Sequence, residues 1–165
     1  MPEDKPLKVG DIWHLTYEDH PEPDPPHVED VLVAGGERVD HLGPAELRDH
    51  LMAEIAPWDG GPETIFDGTV AGTPSGRIYV PEGGPLPTRS TGYWLPDRDL
   101  VKRVAFGKIR FLYTGPSELD EFTWAGVAEP PQDIEASTLV RVSLARWYSP
   151  SSAPAGYYVQ ISGIY

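Results

Sequence analysis

Proline and glycine limit how long any element of this chain can run. Nineteen prolines and seventeen glycines are spread along the 165 residues rather than gathered in a tail, and both residues interrupt helices and central strands. Between the breaks lie short runs rich in β-branched and aromatic side chains: "TIF", "RIYV", "GYWL", "LVKRV", "KIRFLYT", "FTWAGVA", "TLVRVSLARWY" and "GYYVQISGIY". Turn-bounded runs at roughly 8–12-residue spacing predict a barrel or sandwich of short strands.

The first third of the chain reads differently. In "DIWHLTY" Trp13, Leu15 and Tyr17 share one face and Ile12, His14 and Thr16 the other, the period of a strand. "HVEDVLVAGGERVDHL" then predicts a β-hairpin, Val31–Val33 returning through Val39 and Leu42 about a Gly35–Gly36 turn. "GPAELRDHLMAEIAPW" predicts one helix at about 44–56: Pro44 suits the first helical position, Leu47, Leu51 and Ile55 recur every four residues, and Pro57 ends it. That helix is expected to pack on a sheet or plug a barrel end. Nothing reads as a repeat or a linker, so residues 1–165 are expected to form a single compact unit, with an acidic first half, 9–67, and a neutral β-rich second half, 68–165.

Composition removes several kinds of chemistry. There is no cysteine, which excludes disulfides, thiolate nucleophiles and iron–sulfur clusters, and any metal would need His, Asp or Glu. The opening "MPEDKPLKVG" lacks the apolar core of a secretory signal, and no segment approaches a membrane span. A cytoplasmic location with no membrane partner is the expectation. The net charge of −13 is uneven: residues 1–67 hold 17 of the 26 acidic and 4 of the 13 basic side chains. Such a chain repels phosphate on average, so duplex DNA is a poor partner. Residues 77–110 nevertheless carry seven basic side chains against three acidic ones.

The run most suggestive of chemistry is "EDHPEPDPPHVED", residues 18–30. A metal reading takes His20, His27 and a carboxylate from Glu29 or Asp30, with His14 as a further ligand. The spacing matches no established metal motif, and prolines 21, 23, 25 and 26 favour an extended, solvated loop. The loop without a required metal is therefore the expectation. A nucleophilic site is not indicated either. All five histidines lie at or before residue 50, every serine at or after residue 75, and no G-x-S-x-G elbow joins them. The glycines of "DGG" and "EGGP" lack the lysine and the strand-loop-helix setting of a phosphate loop. The sequence predicts no enzyme and no cofactor.

The H-x-E-D of "HVEDVLV", "KIRFLYTG", "WAGVAEPP", "VRVSLARWYSP" and the terminal "GYYVQISGIY" occur in the order of a known family. With these motifs the chain resembles the dual OB-fold-containing domain of bacterial conflict and defence systems, over about residues 9–165. Ser143, Leu144, Tyr157, Tyr158, Gly163 and Ile164 sit suitably for the family's closing strand pair. The resemblance implies a mostly β fold of OB-like barrels and a recognition module rather than a catalyst. The family's N-terminal small-residue strand and Trp-Ile-Arg-Pro-like motif have no counterpart before Val9, so the chain reads as a form shortened at the N-terminus, and a ligand site in that portion cannot be carried over.

The remaining constellation is basic and aromatic. Arg103, Lys108, Arg110, Arg141 and Arg146 interleave with Tyr93, Trp94, Trp124, Trp147 and Tyr148, and "KIRFLYT" puts Ile109, Phe111 and Tyr113 on one face and Lys108, Arg110 and Leu112 on the other. OB barrels hold single strands in this way, aromatics stacking bases and cations following phosphate. Trp94, Arg103, Lys108, Arg110, Trp124, Arg141, Arg146 and Trp147 are thus the expected ligand contacts, for a single-stranded nucleic acid or a nucleotide. Against this stands the usual role of strand aromatics as core. The competing function is an acidic interaction or inhibitor protein, its first 67 residues docking on a basic protein partner.

Overall fold

The computed structural model describes residues 7–115 and 119–165. The N-terminal region forms a two-stranded antiparallel ribbon, β1 (Asp11–Asp19) against β2 (Val31–His41). Gly35 and Gly36 do not make the predicted turn: β2 runs straight through them, and residues 20–30 connect the two strands. Glycine serves here for close approach, since a Cβ on Gly36 would come within 2.6 Å of Leu15 Cδ2. The longer strand absorbs its extra residues in irregularities between Ile12 and Trp13 and between Thr16 and Tyr17. Asp11 ties the ribbon's open end through Arg38 at 3.1 Å and His41 Nδ1 at 2.9 Å. Burial pushes its carboxyl up, but the Lys8 backbone N–H, His41 and Arg38 outweigh that and hold it below the ordinary carboxylate range.

Helix α1 (Pro44–Glu54) lies where the sequence put it, with Pro44 in its first turn and the Glu46 carboxylate accepting from the Gly43 N–H at 2.9 Å. It does not fill a barrel end, because no residue of α1 is buried. The core is entered instead by residues expected to be a strand. "TIF" lies in a 3-10 segment, Pro62–Gly68, whose Ile65 and Phe66 sit in the core. Phe66 and Asp67 take left-handed φ values of 50° and 56°, which no strand allows, and the Trp58 indole N–H holds Asp67 Oδ1 at 3.0 Å.

The remaining elements are β3 (Trp58–Gly60), β4 (Ala71–Gly72), β5 (Ile78–Pro81), β6 (Thr91–Pro96), β7 (Leu100–Ala105), β8 (Lys108–Thr114), β9 (Leu119–Trp124), β10 (Asp133–Ile134), β11 (Val140–Leu144) and β12 (Gly156–Ile164). They form a ten-stranded sheet in the order β10-β7-β8-β9-β12-β11-β6-β3, with β5 paired to β12 and β4 to β5. The closing strand β12 ties the sheet together: its first residues pair with β5, its middle runs parallel to β9, and Val159 to Ile164 pair with β11. One strand shared among three partners curls the sheet into a half-barrel. The fold is mostly β, 47% strand and 12% helical, and OB-like. Trp94, Phe111, Phe122, Leu100, Ile134, Val142 and Ile161 fill its interior. Among the described residues no helix is long and apolar enough to cross a membrane.

Candidate ligand-binding face

Strand alternation decides which side chains the half-barrel turns outward. Phe111 and Tyr113 on β8, Phe122 on β9, Ile161 on β12, Val140 and Val142 on β11 and Trp94 on β6 are buried. The residues between them face the other way. Strand register then joins the outward residues into a continuous polar row, Arg103–Arg110–Thr123–Gln160–Ser143–Thr91, crossing β7, β8, β9, β12, β11 and β6. One register step along, Arg141 pairs with both Tyr93 and Gly163. Tyr165 lies over Gly163 and 5.9 Å from Tyr93, centroid to centroid.

The charge of the face concentrates at one end of the row. Arg110 forms an ion pair with Glu121 and Arg103 approaches the same carboxylate at 3.8 Å; Arg77, whose backbone pairs with that of Glu121, brings a third guanidinium near enough to act on Arg110. Two guanidiniums on one carboxylate, with a third close by, leave this end of the row with an excess of positive charge. Desolvation, then Arg77 and Arg103, push Arg110 down from its ordinary value without discharging a guanidinium at any physiological pH. Arg110 Nε is buried without a hydrogen-bond partner. Arg103 is 52% exposed, and Arg77 lies 4.0 Å over the ring of Tyr158, which stacks on Tyr79.

The structure divides the residues expected from the sequence. Arg103, Arg110 and Arg141 lie on the outer face, with Lys108 exposed beside them at the start of β8. Trp94 does not belong there: it is wholly buried, its indole N–H donating to Gly60 O at 2.9 Å, and no base can reach it. Trp124 is half-buried with its edge on Phe111 and its N–H on Ala128 O, a core-side position. Arg146 and Trp147 follow β11 at the opposite end of the sheet, and both are exposed. Arg77 and Tyr158 were outside the expected set, because only β5 pairing with β12 brings them together. Phe106 was also missed. It forms the β7–β8 turn with Gly107, both at positive φ, and is 96% exposed.

Residues 18–30 are not the fully solvated loop expected from their prolines. Pro26 and His27 are buried, the His27 ring lies 6.2 Å from that of Tyr157, and Glu29 and Asp30 reach across to the half-barrel. His20 Nδ1 accepts from the Glu22 N–H at 3.3 Å. His20, His27 and Glu29 do not converge, and among the described residues no three His, Asp or Glu side chains are gathered to hold a metal ion.

A curled OB-like sheet with a tyrosine-containing closing strand fits the family named by the sequence motifs. The model of the dual OB-containing domain matches residues 1–164. The chain belongs to that family. The match begins ahead of Val9, where the motif likeness started, and spans the ribbon, α1 and the half-barrel alike. No curated protein and no solved structure matches the chain.

Proposed function

We propose that this dual OB-containing domain is a non-enzymatic recognition module of a bacterial conflict or defence system, acting in the cytoplasm and binding single-stranded nucleic acid or a nucleotide across the outer face of its half-barrel. The observation that carries this reading is the polar row with Arg77, Arg103 and Arg110 at one end and Arg141 beside Tyr93 and Tyr165 at the other. Guanidiniums at both ends suit phosphates, and the hydroxyls and amide between them suit bases or sugars. Exposed Phe106 offers a stacking surface at the edge where the charge collects.

Fluorescence anisotropy with ten-nucleotide single-stranded DNA and RNA over a salt series tests it. Binding should weaken with salt, and Arg103→Glu and Arg141→Glu should each abolish most of it. Absence of binding at the lowest salt refutes the reading, as does wild-type affinity in both variants. A second reading has its own support: Leu15, Tyr17, Val31, Leu32, Val33 and Val39 are all exposed on the acidic β1–β2 ribbon, a surface suited to a basic protein partner. Capture of such a partner, lost on Glu18→Gln and Glu37→Gln, would favour it.

A further inference from the structure

Residues 20–30 cross from the ribbon to the half-barrel and meet it in one chemical sense. The Ser90 N–H and hydroxyl both donate to Glu29 Oε1, at 2.8 and 2.5 Å. Arg146 reaches Asp30 Oδ2 at 2.5 Å and Asp24 Oδ2 at 3.7 Å. The Tyr157 hydroxyl donates to Pro25 O at 3.1 Å. In each of these contacts the half-barrel supplies the donor or the cation and the strap supplies the acceptor. Ser90 is only 4% exposed, so its two donors converge on a single carboxylate oxygen in a covered cradle. Two fixed donors on Glu29, with a guanidinium on the next residue, Asp30, are groups of the kind that hold neighbouring phosphate oxygens.

We infer that Ser90, Arg146 and Tyr157 form an anion-binding site for phosphate groups, and that the acidic strap occupies it as an intramolecular stand-in for the ligand. Position bears on the ligand. Ser90 directly precedes Thr91, the last residue of the polar row, and turns with its neighbour Leu144 to the other face, so the cradle adjoins the end of the row from the opposite side, and in giving it the same phosphate ligand the inference rests on the module reading. Asp24, Asp30 and Arg146 are all substantially exposed, which keeps the ion pairs weak enough to exchange. The buried Pro26 and His27 anchor the strap between its two charged contacts. Being tethered, the strap competes at an effective concentration of order millimolar, and a bound strand must displace it.

The absence of cysteine permits a direct test. Val28→Cys, labelled with bimane at an exposed position of the strap, should be quenched by Trp147, which adjoins Arg146; Trp147→Phe in the same background is the control. Tripolyphosphate and ten-nucleotide single-stranded DNA should each relieve the quenching saturably, and sodium chloride of equal ionic strength should not. Asp24→Asn with Asp30→Asn should lower the half-saturating concentration about tenfold, the effect of removing two exposed ion pairs. Relief by tripolyphosphate with no DNA binding by anisotropy supports the site and refutes the module reading. DNA binding with the quenching intact leaves the module reading standing and overturns the strap's role. No relief by either probe overturns the site.

Discussion

Replacing Phe106 by asparagine should move stability and affinity in opposite directions. The β7–β8 hairpin closes at the Ala105–Lys108 pair with Phe106 and Gly107 at φ values of 51° and 70°, a two-residue turn of the kind that favours Asn-Gly. A left-handed conformation costs an ordinary L-residue about 1–2 kcal/mol, and asparagine tolerates it better. Phe106 is almost entirely exposed, so Phe106→Asn gives up almost no burial in return. A gain of about 1 kcal/mol follows, which in a domain of this size raises Tm by about 2–4 °C. If the same ring stacks a base, its removal costs about 1–3 kcal/mol of binding, roughly 5- to 150-fold in Kd. Thermal denaturation and anisotropy with a ten-nucleotide strand read the two effects separately, and Phe106→Trp should keep the affinity. A lower Tm in Phe106→Asn would show that the ring packs on something. A higher Tm with unchanged affinity would remove Phe106 from the ligand face.

Glu121→Gln keeps the shape of the side chain but leaves Arg103 and Arg110 without the carboxylate they share. Breaking so buried a pair should cost about 3 kcal/mol, or roughly 6–12 °C in Tm, and a change under 2 °C would show that the guanidiniums do not depend on it. Trp94→Phe removes the donor to Gly60 O and leaves space beside Phe122 and Tyr113; it should lose about 2–4 kcal/mol by denaturant titration while the folded protein binds as before. Burial first, then the 2.7 Å bond to Asp97, push the Tyr113 phenol up to about 12. Its neutral form is the one the fold favours, so this contribution is fully present below the unfolded tyrosine value near pH 10 and is lost as pH rises through about 12. Melting curves from pH 8 to 12 should fall less steeply above pH 10 in Tyr113→Phe, and parallel curves would contradict the assignment.

Local periodicity carried much of the architecture. "KIRFLYT" told its own faces apart because alternation is a property of the strand alone, and Pro44 and Pro57 bracketed the helix found at Pro44–Glu54. The failures share a cause in distant partners. Gly35 and Gly36 can make a turn or admit a neighbour, and Leu15, far off in sequence but packed on Gly36, selects the second. Ile65 and Phe66 are apolar enough for a strand, but Asp67 is held by Trp58 in a conformation no strand permits. In "GYWL" both faces carry an aromatic, so the burial of Trp94 rather than Tyr93 was set by the sheet's curl. The prolines predicted an extended loop, but Pro25 and Pro26 turn the chain back so that the His27 N–H donates to Asp24 O at 2.8 Å, and nothing local in "EDHPEPDPPHVED" reveals Ser90 and Arg146 as partners for its carboxylates.

The net charge of −13 argues against phosphate binding only if the charge acts as one cloud, and the structure distributes it otherwise. Asp11 is paired with Arg38 and His41, Asp24 and Asp30 with Arg146, and Glu121 with Arg103 and Arg110. At physiological salt the remaining acids act over a Debye length of only about 8 Å. Affinity should therefore follow the few cations of the outer face. Arg77, Arg103, Arg110 and Arg141 can meet about two to four phosphates, and each contact contributes about −0.7 to the slope of log K against log salt for a single strand. A slope between about −1.4 and −2.8 is expected, shallower by about 0.7 in Arg141→Gln. A slope beyond about −5 would mean that the phosphates lie on cations elsewhere in the protein, and the polar row would lose its claim to be the binding path.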